Sequence, residues 1–479
     1  MRIVQVAAEF APLIKAGGLG EVLIGLSRQL VKRNQEVDVI IPKYDTLPLH
    51  LLQDLKIEIP DFSIFEEQTE ISNTMWSAQF ENIRIHLLET KHPANYFNRG
   101  NIYGFADDAP RFLYFAKATA AYLNLKQTPI DILQLHDWHT AALAAMMKGN
   151  KLIKKTILNI HNLEYQGKCG INDLKQAGIK RELIDSFHNN DHHHPDSYNI
   201  LRGGLALVDQ IVAVSPSYAR EILTPEYGWG LNPLLNKRKA TLSGILNGID
   251  QILWNPATDP YLNKQYNKTD SVDSIKAAKK QNQDFLRDKF GLKGAPWVGA
   301  ITRIVPQKGP EFIEAAIQQT VDAGGAFILL GSSPIPELQR HFEAIKTKFE
   351  RCPQVLIQLN FDEDLAHKLY ASLDFLLLPS HFEPCGLAQM IGMHYGTIPI
   401  ARKTGGLKDT VFETEDKEKW NGFTFTHANI DEFSACLNRA IKTNERSKIM
   451  QNGLQTDFSW ETPTSQYIEL YKNLLQNSR

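Results

Sequence analysis

Arg303 and Lys308 stand five residues apart on a loop that follows an apolar run at 297–301 and precedes Pro310. A guanidinium is a planar fork of donors and an ammonium a compact point charge, while proline suits the first turn of a helix, whose N-terminus adds oriented amides. Such a loop has the parts of a diphosphate clamp, and equally those of a solvated surface loop. The run Thr404-Gly405-Gly406-Leu407-Lys408-Asp409-Thr410 follows another apolar run and opens a helical pattern. Glycine there leaves amides free to approach a phosphate, or simply makes a turn. Lys15-Ala16-Gly17-Gly18 makes the same offer near the N-terminus.

Two kinds of group could act on what the cations hold. Glu383, in Phe382-Glu383-Pro384-Cys385-Gly386-Leu387, is a carboxylate between an apolar run and a helical pattern. It either complements a helix dipole or meets sugar hydroxyls and the positive charge that develops at an anomeric carbon. Asp137 and His139 flank Trp138 after one apolar run, and His161 ends another, so polar strand ends coincide. Trp138, Tyr96, Phe97 and Tyr165 are candidates to stack on a sugar face or to fill the core. Cys385 has no histidine in its motif to activate it and reads as packing.

Two clusters imitate metal sites. His192-His193-His194 are consecutive, cannot all face one ion, and read as an exposed loop. Asp362-Glu363-Asp364 resembles an Asp-x-Asp metal motif but begins a helical pattern through Leu365, Leu369 and Leu373, where acidic residues cap. No metal is expected.

The elements that must position these residues alternate. Strand-like runs lie at 3–7, 37–41, 132–135, 156–160 and 210–214, then at 297–301, 326–330, 355–359, 375–378 and 397–401, with helical stretches between. This is an α/β pattern with parallel sheets, in which ligands bind beyond the carboxyl ends of the strands. Residues 255–283 are polar, weak in apolar periodicity, and read as a surface excursion after an interdomain hinge near 240–255. A length of 479 residues exceeds what one core supports and points to two domains. Two sheets facing one another would make a cleft lined by cations, a carboxylate and exposed amides.

A formal net charge of −2 supplies no broad field for nucleic acid or anionic membrane. No apolar stretch approaches a membrane span, the N-terminal residues lack a signal peptide's core, and four scattered cysteines suggest a reducing cytoplasm. Gly17-Gly18-Leu19-Gly20 departs from the dinucleotide fingerprint, which disfavours a nicotinamide enzyme.

Taken in order, Lys15 to Gly20, His136-Asp137-Trp138-His139, Ile160-His161-Asn162-Leu163-Glu164-Tyr165-Gln166-Gly167, Val214-Ser215-Pro216-Ser217-Tyr218-Ala219, Leu246-Asn247-Gly248-Ile249-Asp250, Arg303-Ile304-Val305-Pro306-Gln307-Lys308-Gly309, Phe382 to Leu387 and Thr404 to Val411 resemble the signatures of the bacterial glycogen synthase and plant starch synthase family. The resemblance spans nearly the whole chain. It implies a GT-B fold of two Rossmann-like parallel-sheet domains, 1–245 on the acceptor side and 246–458 on the nucleotide-sugar side, with 459–479 as a helix crossing back to the first. It implies a hexosyltransferase that moves glucose with retention from a nucleotide-glucose, ADP-glucose before UDP-glucose, to the non-reducing 4-hydroxyl of an α-1,4-glucan.

By the same resemblance Lys15, Arg303 and Lys308 hold the diphosphate, with Gly17, Gly18, Gly405 and Gly406 beside it. Asp137 and His161 contact the transferred glucose, Glu383 stabilises the reacting sugar, Asn162 and Asn247 support, and Phe361 lies beside the base. Tyr96, Trp138 and Tyr165 fall to the sugar side. No cofactor is implied, and no setting suits the Schiff-base lysine of a pyridoxal-dependent phosphorylase. Departures from the family pattern are Glu21 for Asp, Asn98 for Asp, Arg202 for Lys and Phe361 for Tyr. A sugar-nucleotide 2-epimerase and an idle glucan-binding scaffold are the rival readings.

Overall fold

The computed structural model describes residues 1–66, 68–188 and 197–476. They form two compact units, Met1–Gly248 with Trp460–Arg479, and Ile249–Ser459.

In the first unit the short apolar runs pair as strands buried on both faces, the condition for a parallel sheet. In chain order the strands are β1 (Arg2–Val6), β2 (Glu36–Pro42), β3 (Gln53–Glu66), β4 (Thr69–Phe80), β5 (Ile83–Thr90), β6 (Ile130–His136), β7 (Ile153–Ile160), β8 (Lys168–Cys169), β9 (Tyr198–Asn199), β10 (Gln210–Ala213) and β11 (Leu242–Gly244). The main sheet runs β11-β10-β7-β6-β1-β2-β5-β4-β3, with β8 and β9 a separate pair. All its pairings are parallel except β3 with β4 and β4 with β5. Strand order reverses at β1, so the loops after β1 and β6 flank a switch point.

The last helix, Glu461–Gln476, belongs to this unit. Asn159 of β7 donates to the Tyr467 hydroxyl at 2.6 Å, and the Tyr471 hydroxyl donates to Gln134 of β6 at 2.5 Å. Gln134 in turn donates to Asn159 at 2.8 Å, closing a buried chain of polar groups. At the head of the helix, Trp460 packs over Gly25 so closely that a Cβ there would overlap the indole.

The second unit contains β12 (Trp297–Ile301), β13 (Ala326–Leu330), β14 (Val355–Gln358), β15 (Phe375–Leu378), β16 (Ile398–Arg402) and β17 (Phe423–Phe425). Their order, β14-β13-β12-β15-β16-β17, with every pair parallel, is the doubly wound nucleotide-binding arrangement. Its switch point lies between the ends of β12 and β15.

The polar stretch read as a surface excursion is in part a helix, Val272–Phe290, capped by the Ser271 hydroxyl and ended by Gly291 at φ 66°. Its inner face carries Lys279 and Asn282, both buried, which breaks the apolar periodicity. Lys279 donates to Ala371 O, Tyr395 O and Thr397 Oγ1, each at 3.1 Å, and burial lowers it to about 7. No described helix is long and apolar enough to cross a membrane.

Candidate active site

At the first unit's switch point, the chain leaving β1 turns through a buried stretch to Glu9, only 3% exposed. Glu9 Oε2 accepts from the amides of Ala16 at 2.8 Å and Gly17 at 3.0 Å, while Tyr103 donates its hydroxyl to Oε1 at 2.7 Å. Burial raises Tyr103 well above the ordinary phenol range, so it remains a donor. The glycine loop is thereby tied to an internal carboxylate, which corrects the reading of Gly17 as an amide free for phosphate. Gly18 opens the helix Gly18–Lys32 and is exposed. Lys15 Nζ pairs with Glu21 Oε1 at 2.6 Å, so the longer acid at position 21 still meets the cation.

After β6, Asp137 adopts φ 56° and ψ −171°, a strained conformation ordinarily confined to glycine. This turns its carboxylate onto the neighbouring strand end, where Oδ1 accepts from the amides of His161 at 2.7 Å and Asn162 at 3.4 Å. Burial raises its pKa to about 7, against the pull of those two amides. His161 is lowered to about 3 by burial and is neutral at physiological pH. Its Nε2 lies 2.9 Å from Nδ1 of His136, whose Nε2 is buried without a partner. A buried bare N–H costs more than a bare acceptor, so the hydrogen bonding assigns His136 Nδ1–H as donor and leaves the His161 proton on Nδ1. His139, lowered to about 3 chiefly by burial, packs between Phe112 and Tyr103.

Two aromatic assignments are corrected by burial. Tyr96 stacks on His92 at 3.8 Å and sits among Phe97 and Tyr114, and Trp138 packs edge-on to Phe112 and against Gly167, which has φ +64° and no room for a Cβ. Their faces are covered, so they build the site's wall rather than a sugar platform; Phe97 is buried likewise. Tyr165 is 50% exposed and keeps its face open. Asn162 Oδ1 accepts from the Glu164 amide at 3.0 Å, and Asn247 Oδ1 is buried without a hydrogen-bond partner.

At the second unit's switch point, Arg303 follows β12 and is exposed. Lys308 ends a single 3-10 turn, Pro306–Lys308, and Pro310 opens the helix Pro310–Asp322 after Gly309 at φ 66°. Across from it, beyond β15, Glu383 is 6% exposed and bonded twice: Lys308 Nζ lies 2.5 Å from Oε2, and the Ser380 hydroxyl donates to the same oxygen at 2.9 Å. Glu383 precedes the helix Ala388–His394 by several residues, and its carboxylate meets a cation and a hydroxyl rather than that helix's end. Spacing could not reveal this pair, since its members are 75 residues apart.

Gly405 and Gly406 serve close packing. The Gly406 amide donates to Glu383 O at 2.9 Å, and a Cβ on either glycine would strike the backbone of residues 383–385. Glycine here locks the Glu383 segment to the end of β16. Phe361 is 80% exposed. Asp362 caps the helix Glu363–Ser372 by accepting from the Leu365 amide at 2.9 Å, and Asp364 pairs with Lys368. Among the described residues no group of three or more His, Cys, Asp or Glu is placed to hold a metal; the histidine run at 192–194 lies outside them. Cys385 is buried.

Each half of the chain matches a family model, the starch synthase catalytic domain over residues 2–237 and glycosyl transferases group 1 over 282–456. A glycogen synthase of Protochlamydia amoebophila is 39% identical, over 98% of this chain and 99% of that protein. The solved catalytic domain of starch synthase IV from Arabidopsis thaliana, bound to ADP and acarbose, superposes with a TM-score of 0.91 at 38% identity and 99% coverage of both chains. Sucrose-phosphate synthase from Thermosynechococcus elongatus, at 18% identity and a TM-score of 0.61, shares the fold alone. The two parallel-sheet units are those of a GT-B glycosyltransferase, and the chain belongs to the glycogen and starch synthase family.

Proposed function

We propose that this enzyme transfers glucose with retention from ADP-glucose to the non-reducing 4-hydroxyl of an α-1,4-glucan, as a cytoplasmic glycogen synthase. The observation that carries the reading is the Lys308–Glu383 pair at the switch point of a nucleotide-binding sheet, with Arg303 exposed on the same loop as Lys308. ADP bound to the Arabidopsis relative supports the choice of donor. Four cysteines scattered far apart along the chain support a reducing compartment.

In this reading Arg303, Lys308 and Lys15 receive the negative charge that grows on the diphosphate as the bond to glucose C1 breaks. Charges already in place stabilise that transition state more than the ground state. The acceptor hydroxyl attacks C1 from the face the diphosphate leaves, which retains the α configuration. Asp137 and His161 hold the hydroxyls of the transferred glucose, the latter through Nδ1–H. Glu383 faces the positive charge on that sugar, and Lys308, bonded to it, couples the two ends of the breaking bond. Asn247 and Asn162 add polar contacts, Phe361 offers its ring to the base, and Tyr165 serves the glucan. Purified protein given ADP-glucose and glycogen should release ADP and lengthen chains through α-1,4 links, with UDP-glucose slower. Hydrolysis without chain growth, or an epimerised sugar, would overturn the reading in favour of its rivals.

A further inference from the structure

At the opposite ends of β15 and β16 from Glu383 and Gly405, the second unit has a cavity of about 580 Å³. Its walls come from the helix Val272–Phe290, the end of the helix Ile430–Lys442 and the start of the helix Arg446–Gln455. They bring Lys276, Lys279, Lys280, Lys442 and Arg446 together, against a single lining carboxylate, Asp374. The nearby acids are already engaged: Asp374 accepts from the Trp297 amide at 2.7 Å, Asp284 pairs with Lys280, and Glu445 pairs with Lys417 at 2.8 Å. Lys276 reaches only the Ser447 hydroxyl, at 3.1 Å. Arg446 gives one arm to Ile441 O at 2.6 Å and lies over the Phe375 ring at 5.3 Å, and its buried Nε–H has no hydrogen-bond partner. The three donors of Lys279 are taken by Ala371 O, Tyr395 O and Thr397 Oγ1, behind the cavity wall, so it offers no contact to a ligand.

Three cations, Lys276, Lys442 and Arg446, thus converge without a matching acid on a hollow of ligand size. A solvated helix face would spread such charges; here three separate helices bring them round one concavity, which focuses the potential. An inorganic ion would fill only a fraction of the space. Neutral donors on Thr443 and Asn444 and an apolar floor of Ile398, Ile441 and Met450 suit a small hydroxylated body. We propose that this cavity binds a small organic phosphate, its phosphate held by Lys276, Lys442 and Arg446, separately from the donor.

Calorimetric titration of the whole protein with ribose 5-phosphate, inorganic phosphate and ribose tests this. Both phosphates should bind, weakening as salt rises, the ester more tightly, and ribose should not; equal binding of ester and ion overturns the proposal of an organic ligand. The double variant Lys276→Glu/Lys442→Glu, both side chains on the surface, should weaken binding at least about tenfold, the scale of two exposed charge pairs lost. Lys276→Ala/Lys442→Ala is the milder substitute should the first fail to fold. Arg303→Ala/Lys308→Ala should leave the titration unchanged, which separates this cavity from the donor site whatever the donor proves to be. No heat with either phosphate at millimolar concentration overturns the proposal. So does binding that survives the cavity variants or vanishes with Arg303 and Lys308.

Discussion

Asp137 and Glu383 are equally buried, each 6% exposed, and each follows a strand beside its sheet's switch point, yet they are held by opposite means. Asp137 is met by two backbone amides and no cation, so burial dominates and lifts it to about 7. Glu383 is met by the Lys308 ammonium and the Ser380 hydroxyl. A carboxylate held only by amides can take up a proton near neutrality and so exchange the role of acceptor for donor toward a sugar hydroxyl. Glu383 instead shares one oxygen between an ammonium and a hydroxyl, which hold it in place, and that ammonium is itself aimed at phosphate in the proposed reaction. The first unit supplies a carboxylate held by backbone, the second one held by side chains.

The contrast breaks first at Lys308. Lys308→Ala removes a cation and strands a buried carboxylate, so turnover at saturating donor should fall by about 10²- to 10³-fold, as for other preorganised donors. Near-normal turnover would show the pair to be structural. Next, Glu383→Gln keeps size and loses charge. Turnover and kcat/KM should drop together, by about tenfold or more, with donor binding by calorimetry retained. An active but less stable protein would instead make Glu383 a fixture of the fold.

Asp137 should show itself in stability. Its folded pKa lies above that of the unfolded chain, so the folded state binds the proton more tightly and stability is lost as pH rises from about 4 to about 7. Asp137→Asn, which keeps the side chain's shape and an oxygen to accept the two amides, should remove that loss. Its unfolding free energy, measured by denaturant titration, should gain on wild type between pH 4 and pH 8, by on the order of a few kcal/mol at most. A difference independent of pH would mean that Asp137 does not titrate there. Gly25→Ala, by driving a methyl into Trp460, should cost about 1–3 kcal/mol of unfolding free energy and loosen the first unit alone. The smallest expected effect is none: exhaustive chelation should leave glucan synthesis unchanged, and loss restored only by Mg²⁺ or Mn²⁺ would return Asp362 and Asp364 to candidacy.

What could be read from the sequence follows the same division. Strands buried on both faces, such as β1 and β12, announce themselves as short apolar runs, and the polar residues just beyond them marked both switch points. The β3–β5 arm went unread because β3 is exposed along most of its length and its residues carry no continuous apolar signal. The helix Val272–Phe290 was masked by Lys279 and Asn282, buried polar residues whose partners lie far along the chain. Distance hid the bond between Tyr103 and Glu9, 94 residues apart, in the same way. Tyr96 and Trp138 show the converse: an aromatic beside a motif looks the same in sequence whether its face is open or covered.

The buried relay from Gln134 through Asn159 to Tyr467 and Tyr471 sets an order of assembly. A chain emerging N-terminus first makes residues 249–459, the whole second unit, before the segment that completes the first. Until then Gln134 and Asn159 lack their tyrosine partners, and the groove that takes residues 460–476 is bare. The second unit, contiguous, can mature alone, while the first must wait as an unfinished intermediate until residues 460–476 have been made.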